Sequence, residues 1–576
     1  MRSSRIFSAL AALGLVAAMA PVAMITAAPV LAVQTVQATF ISVSCPSYSV
    51  VPANKTPTVF DETGGHAAQL DTSYQTAIVN PATDIPASCT RTDGWQFQLW
   101  SDPALSVPDR APITTGADGA GTGSVTIVLT PAEIALAQTV GIPTGLWITA
   151  ILQPSIASFG ALRCFTDINN GDDRENIHGL LSTDTQTNCI AYEVLPPSTF
   201  HAIAPERLLD TRIGNGLSGK LLANTPATFQ VTGRGPAPVP SSATAVTGNL
   251  TVTGSTSSWA VYLGPVPTAS PTSSTISFTA GEIRANGVTV ALGAGGTLSA
   301  TYISTAGNTT DLVLDVTGYY QSDAAGATFH PIAPVRLLDS RVGNGLSGKL
   351  LANTPAAFQV AGRPGVPSNA TAVTGNVTVV NSTNSWAVFV GPDAEASPTT
   401  STLNFNAGQI VPNNLTVALS SSGTLWATYV STPGNTTDLV FDLTGYFTPD
   451  LTGEQYIAMT PVRMLDSRVA NGLPGQLLAN TPAPFQITGR AGIPATATGI
   501  TGNLTVVNES ASWAVFLGPN QIASPTSSTL NFIPGDVVAN GVAVALGPGG
   551  TLSTTYISTA GNTTDLVLDV TGFFAP

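Results

Sequence analysis

The chain is 576 residues long, enough for three to five domains of roughly 100 to 200 residues each. Only 9% of it is charged while 43% is hydrophobic, so disorder driven by charge is excluded. With 19 Lys and Arg against 33 Asp and Glu, a net charge of −14 and no basic cluster, nucleic-acid binding is excluded as well.

Arg2 and Arg5 precede an uncharged segment, Ile6 to Ala32, rich in Ala, Leu, Val and Met, which is the layout of a secretory signal. Small residues at Val30-Leu31-Ala32 place the cut after Ala32, making residues 1–32 a leader. If it stays uncleaved, the same segment is long enough to anchor the chain, and that is the only membrane contact expected. Residues 39–196 form an acidic domain, with 15 acidic and 5 basic side chains. All four cysteines lie there, without the C-x-x-C spacing of a metal or redox site, so two structural disulfides are expected. Three pairings are open; Cys45 with Cys89 and Cys164 with Cys189 is preferred, because neighbouring strands close such loops most easily. Gly94 to Trp100, Thr144 to Thr149 and Cys189 to Val194 alternate as strands, and Thr130 to Thr139 reads as a short helix.

From about residue 199 the chain is three copies of one module, at 200–320, 329–447 and 456–574. Leu208-Leu209-Asp210-Thr211-Arg212 returns as Leu337-Leu338-Asp339-Ser340-Arg341 and Met464-Leu465-Asp466-Ser467-Arg468, and Tyr302 to Gly318 is repeated without change at Tyr556 to Gly572. A period of 127 to 129 residues means whole domains, since solenoid units run about 20 to 50 residues. Inside a copy the apolar period is two: Val246, Gly248, Leu250 and Val252 share one side of a strand, Thr247, Asn249 and Thr251 the other. Seven to nine such strands with turns between them predict an all-β chain of four tandem antiparallel β-sandwich or jelly-roll domains.

The copies resemble the "RLLDTR" β-repeat of exported bacterial proteins, here on Arg207 to Arg212, Asn249 to Val252 and Asp315 to Tyr320. That resemblance spans about two thirds of the chain and implies a surface or secreted accessory role without a mechanism. With cysteines near the first strand (Cys45), before the Gly94-Trp95-Gln96-Phe97-Gln98-Leu99 strand (Cys89) and around the last hairpin (Cys164, Cys189), the first domain resembles the prealbumin-like modules of surface adhesins. If it shares their Lys–Asn isopeptide bond, Lys55 must supply it, being the only lysine there.

Several constellations have two readings each. Gly214 to Lys220 matches most of a phosphate-binding loop, but Leu221 stands where Ser or Thr must hold magnesium, which favours a glycine-rich surface loop. Arg207, Asp210 and Arg212 recur as Arg336, Asp339, Arg341 and as Arg463, Asp466, Arg468, with Arg234, Asp311 and Asp315 repeated too. Charges kept in so charge-poor a background read as structural ion pairs, an arginine forked onto a carboxylate between the first and last strands, with recognition of an acidic sugar or peptide carboxylate as the alternative. Trp259, Trp386 and Trp513 alternate with core positions such as Val261 and Leu263, which predicts burial; facing outward they would stack on sugar rings. Asp167, Asp172 and Asp173, with Asn169, Asn170 and Glu175, read as a solvated acidic hairpin, with calcium as the alternative and no other cofactor expected. The triplets at Asn308, Asn435 and Asn562 read as turn chemistry. No catalytic constellation emerges from His66, His178, His201 or His330.

Together these features predict a non-catalytic exported protein, a string of domains serving structure or adhesion at the cell exterior. Its expected partner is a cell-wall or surface polymer, or itself as a homo-oligomer. A carbohydrate-binding accessory protein is the alternative.

Overall fold

The computed structural model describes residues 34–45, 79–86, 89–102, 104–116, 123–139, 145–152, 158–164, 174–177, 180–194, 198–236 and 238–576. The expected leader, Lys55, His66, His178 and the run containing Asp167, Asp172 and Asp173 lie outside the described residues.

The first domain is a two-sheet sandwich. One sheet joins β1 (Gln37–Cys45), β2 (Thr90–Arg91), β5 (Ser124–Val128), β7 (Ser158–Arg163) and β9 (Gln186–Val194); the other joins β3 (Gln96–Trp100), β4 (Ile113–Thr114), β6 (Leu146–Leu152) and β8 (Arg174–Ile177). The β1–β9 pair is parallel, a departure from the all-antiparallel expectation. Phe40, Trp95 and Phe97 fill the core, and Cys45–Cys89 and Cys164–Cys189 are the disulfides. The helix α1 (Pro131–Ala137) starts on a capping box, Thr130 with Glu133, which satisfies two otherwise free amides.

In the first repeat the strands are β10 (Ser198–Asp210), β11 (Leu221–Leu222), β12 (Ala227–Gln230), β13 (Ala243–Thr253), β14 (Trp259–Gly264), β15 (Ile276–Phe278), β16 (Arg284–Ala291), β17 (Thr297–Ile303) and β18 (Thr309–Ser322). One sheet runs β10-β18-β13-β16, with β11 on β18, and the other runs β12-β17-β14-β15, all antiparallel. That interleaved order is a jelly roll. The second and third repeats copy it strand for strand, and each holds its own apolar core.

The repeats do not form a string. They close into a ring about a pseudo-threefold axis. Asn249 Nδ2 donates to Ser401 O at 2.6 Å, Asn376 to Ser528 O at 2.8 Å, and Asn503 to Ser274 O at 2.8 Å, so the first repeat meets the second, the second the third, and the third the first. The same order holds in the aromatic cluster at one end, where ring centroids lie 4.4 Å apart in Phe200–Phe447, 4.1 Å in Phe329–Phe574 and 4.2 Å in Tyr456–Tyr320. These six rings form a core common to all three repeats. Each contributes about 1.5 to 3 kcal/mol on full burial, so the cluster outweighs the few polar contacts of a flexible linker.

The polar face of β13 explains why sequence periodicity suggested independent modules. Thr247, Asn249 and Thr251 alternate with the core residues as a solvent-facing row would, yet all three are buried. Around the axis, β16 and its counterparts in the other repeats, Val411–Ala418 and Val538–Ala545, approach so closely that a Cβ on Gly541 would lie 2.0 Å from Gly287 O.

Candidate functional site

Each repeat begins and ends at the aromatic cap: Ser198 pairs with Ser322, Thr328 with Thr448 and Gln455 with Ala575. The opposite end, where β13 stops and β14 and β16 start, is free of linkers. It carries the retained ions and the three tryptophans.

Arg207 forks onto Asp315, Nε to Oδ1 at 2.8 Å and Nη2 to Oδ2 at 3.1 Å, tying the first strand of the repeat to the last. Arg212 forks onto Asp210 at 2.8 and 2.7 Å. Arg336–Asp442 with Arg341–Asp339, and Arg463–Asp569 with Arg468–Asp466, repeat both forks. The hydrogen bonds from Arg212 hold the Asp210 carboxyl below the usual carboxylate range, whereas burial pushes Asp315 above it despite the Arg207 fork. Arg207 and Arg463 reach across the ring as well, to Thr399 O at 2.8 Å and Thr272 O at 2.7 Å. The ions therefore bind strand to strand and repeat to repeat. Lys220 is engaged by Asp311 at 2.9 Å and by Gly254 O, in keeping with a surface loop, and Asn308 bonds back to Thr305 within its own turn.

The tryptophans are not core residues. Val261 and Leu263 are buried as alternation requires, but Trp259, Trp386 and Trp513 are 61%, 61% and 58% exposed. The reason lies in the backbone: they have φ of 138°, 139° and 144°, a region L side chains rarely adopt, so the first residue of each strand is rotated out of register with the rest. Strain of this kind costs about 1 to 3 kcal/mol and persists where surrounding structure over-determines it.

Beside Trp386 a cleft of about 440 Å³ opens between the first and second repeats, lined by Arg207, Arg212 and Glu282 from one and by Thr399, Asn404 and Asn406 from the other. It shares Glu282, Asn404 and Asn406 with a cavity of about 750 Å³ at the mouth of the pseudo-threefold axis. Turns from all three repeats line that cavity, among them the segments at Glu282, Gln409 and Asp536. Retention of Arg207 and Arg212 for cohesion thus coexists with a place on a cleft wall.

Sequence reasoning missed the asparagines of the ring. Asn413 donates to Asn249, Asn540 to Asn376 and Asn286 to Asn503, each at 2.9 Å. The signal was present: Asn sits mid-strand at matching places in all three copies, where strands disfavour it. Also missed was Glu509, which replaces Ser255 and Ser382. Those serines accept from Gly281 N and Gly408 N at 3.0 Å, while both Glu509 carboxylate oxygens are buried without a hydrogen bond of regular geometry. Burial pushes that carboxyl up to about 7.

No family model matches the chain, and no curated protein matches it. Among solved structures, it is similar to the Sulfolobus turreted icosahedral virus structure (11% identity, 66% of this chain, 91% of the other, TM-score 0.13). It is also similar to an archaeal-virus turret structure described as a triple jelly roll (9%, 66% and 97%, TM-score 0.14). A cycloalternan-forming enzyme from Listeria monocytogenes with a pentasaccharide substrate follows (10%, 62% and 28%, TM-score 0.12). At these TM-scores the likenesses bear on neither mechanism nor partner.

Proposed function

We propose that the protein is a non-catalytic adhesion or structural protein of the cell exterior that engages its partner through the linker-free end of the three-repeat ring. The observation that carries this reading is the outward display, three times over, of a tryptophan held at positive φ: a strained, water-exposed indole has no folding benefit to account for it. Two disulfides fit an oxidising compartment, and the apolar leader of residues 6–32 supplies a route there. The forked arginines hold the display surface rigid. Fractionation of native cells, with electron microscopy of the purified protein, tests the proposal. Recovery with the cell envelope supports it, with sheets or fibres marking the self-assembling form; recovery in the cytosol rejects it.

A second reading, contact of Trp259, Trp386 and Trp513 with sugar rings, is favoured by the Thr and Asn side chains beside Trp386 in the cleft. Retention on insoluble cell-wall polysaccharide, lost when all three tryptophans become alanine, is its test.

A further inference from the structure

Among the described residues, the repeats expose 16 large hydrophobic side chains, and 13 of them, all but Val266, Val335 and Ile522, gather at the linker-free end. They recur by position. Ile213, Val342 and Val469, in the loop after each Leu-Asp-(Thr/Ser)-Arg motif, are 75%, 77% and 72% exposed. Leu222, Leu351 and Leu478, on the short second strand of each repeat, point outward too. Ile410 and Val537 line the axial cavity together with Trp513, and Ile283 lines the adjoining cleft together with Trp386. Exposed apolar side chains repeated three times over at one end in this way mark an interaction surface.

Charge is layered at the same end. Arg212 is 47% exposed while its partner Asp210 is 2% exposed, and Lys220 and Lys349 lie outside Asp311 and Asp438 in the same way. Arg341 and Arg468 repeat the arrangement. Around the rim the outer layer therefore consists of aliphatic groups, indoles and cations, with their paired carboxylates behind them, while Glu282 and Asp536 line the axial cavity inside that rim. Along the axis the axial cavity lies at the Arg284 end of β16, the asparagine ring follows at Asn286, and the aromatic cap adjoins the far end, where Ala291 pairs with Ala245 of that cluster, so this end is a face lying across the axis.

We infer that this face docks on an anionic lipid surface, the indoles and aliphatic side chains entering at headgroup level and the arginines and lysines meeting headgroup phosphates. Tryptophan suits that boundary because one end of the indole is apolar and the other donates a hydrogen bond. Sugar hydroxyls gain little from Ile213 or Leu222, and a second copy placed face to face would set the outward cations against one another. The inference rests on the adhesion reading and supplies its partner; it departs from the sequence expectation that only the leader meets a membrane.

The test is co-sedimentation of the purified full chain with phosphatidylcholine vesicles, with and without phosphatidylglycerol. About tenfold stronger binding to the anionic vesicles is expected, weakening with salt. Trp259→Ala, Trp386→Ala and Trp513→Ala combined should abolish it, and so should Ile213→Ser, Val342→Ser and Val469→Ser on a separate loop, with melting curves confirming that each variant folds. Lys220→Gln with Lys349→Gln, which copies Gln476 of the third repeat, should reduce the anionic preference. Absence of vesicle binding overturns the inference, as does binding that survives both apolar variants. Tryptophan-dependent retention on polysaccharide without vesicle binding overturns it in favour of a sugar, and concentration-dependent dimers that hide the face overturn it in favour of a second copy. Vesicle binding does not depend on where the cell keeps the protein, so cytosolic recovery with vesicle binding would reject the exterior reading alone.

Discussion

The side-chain amide of Asn286 donates to Asn503 across 217 residues of sequence, at 2.9 Å and out of contact with water. The Asn286 carbonyl accepts from Gly541 N at 2.6 Å, so one amide joins the third repeat to the first through both its ends.

Asn286→Ala leaves the Asn503 carbonyl short of a partner and the Gly541 N–H unsatisfied in a buried place. A loss of about 1 to 3 kcal/mol per stranded group is expected. Gly541→Ala should cost at least as much, because its Cβ would meet Gly287 O. Urea titration of each variant measures this. Unchanged midpoints would mean that the ring contributes nothing to stability.

Arg207→Ala removes the fork from a carboxylate that is almost wholly buried. The expected cost is about 3 to 5 kcal/mol, because the charge left behind is uncompensated. Asp315→Leu together with Arg207→Met should cost less than Arg207→Ala alone. A double variant as unstable as the single would argue that packing, not charge pairing, fixes Arg207.

The Glu509 carboxyl, pushed up to about 7, makes stability depend on pH with a definite sign. Its folded value lies above its ordinary one, so the fold favours the protonated form; the contribution is complete below the ordinary carboxylate range and is lost as pH rises through about 7. The carboxyls of Asp210, Asp339 and Asp466 are held low by arginine hydrogen bonds, and their contribution disappears in the opposite direction, as pH falls below the ordinary range. Melting temperature against pH should therefore form a dome. Glu509→Ser, which restores the residue of the other two repeats, should flatten its alkaline side.

Trp259→Gly should raise stability or leave it unchanged, since glycine accepts the backbone conformation that tryptophan strains. The same change in all three repeats should abolish partner binding. Calorimetry and the vesicle assay read the two effects separately, and a marked drop in stability would contradict the exposed position.

Reduction of Cys45–Cys89 and Cys164–Cys189 should destabilise the first domain alone, by roughly 3 to 4 kcal/mol for each bridge. The repeats contain no cysteine, so their calorimetric transition should stay in place under reductant.

Much of the fold can be read from local pattern, because strand alternation and turn residues act over a few positions: Val246 to Val252 lies on a strand, and the core side is the apolar one. Closure is different. Thr247, Asn249 and Thr251 look the same whether they face water or another repeat, and only the partner positions near Ser401 and Asn413 decide between them. The tryptophans misled for a related reason. Alternation assumes extended backbone with negative φ, and a single residue near +140° at the strand start reverses the side it faces.

Because strands enter and leave every jelly roll beside the aromatic cap, the copy number is set by geometry. Three modules complete the circle, and a fourth inserted in tandem would find no vacant seat between its neighbours. Conversely, one module made alone would retain both halves of the joint and should assemble with two siblings, a homotrimer rebuilding what a single polypeptide here guarantees at fixed stoichiometry.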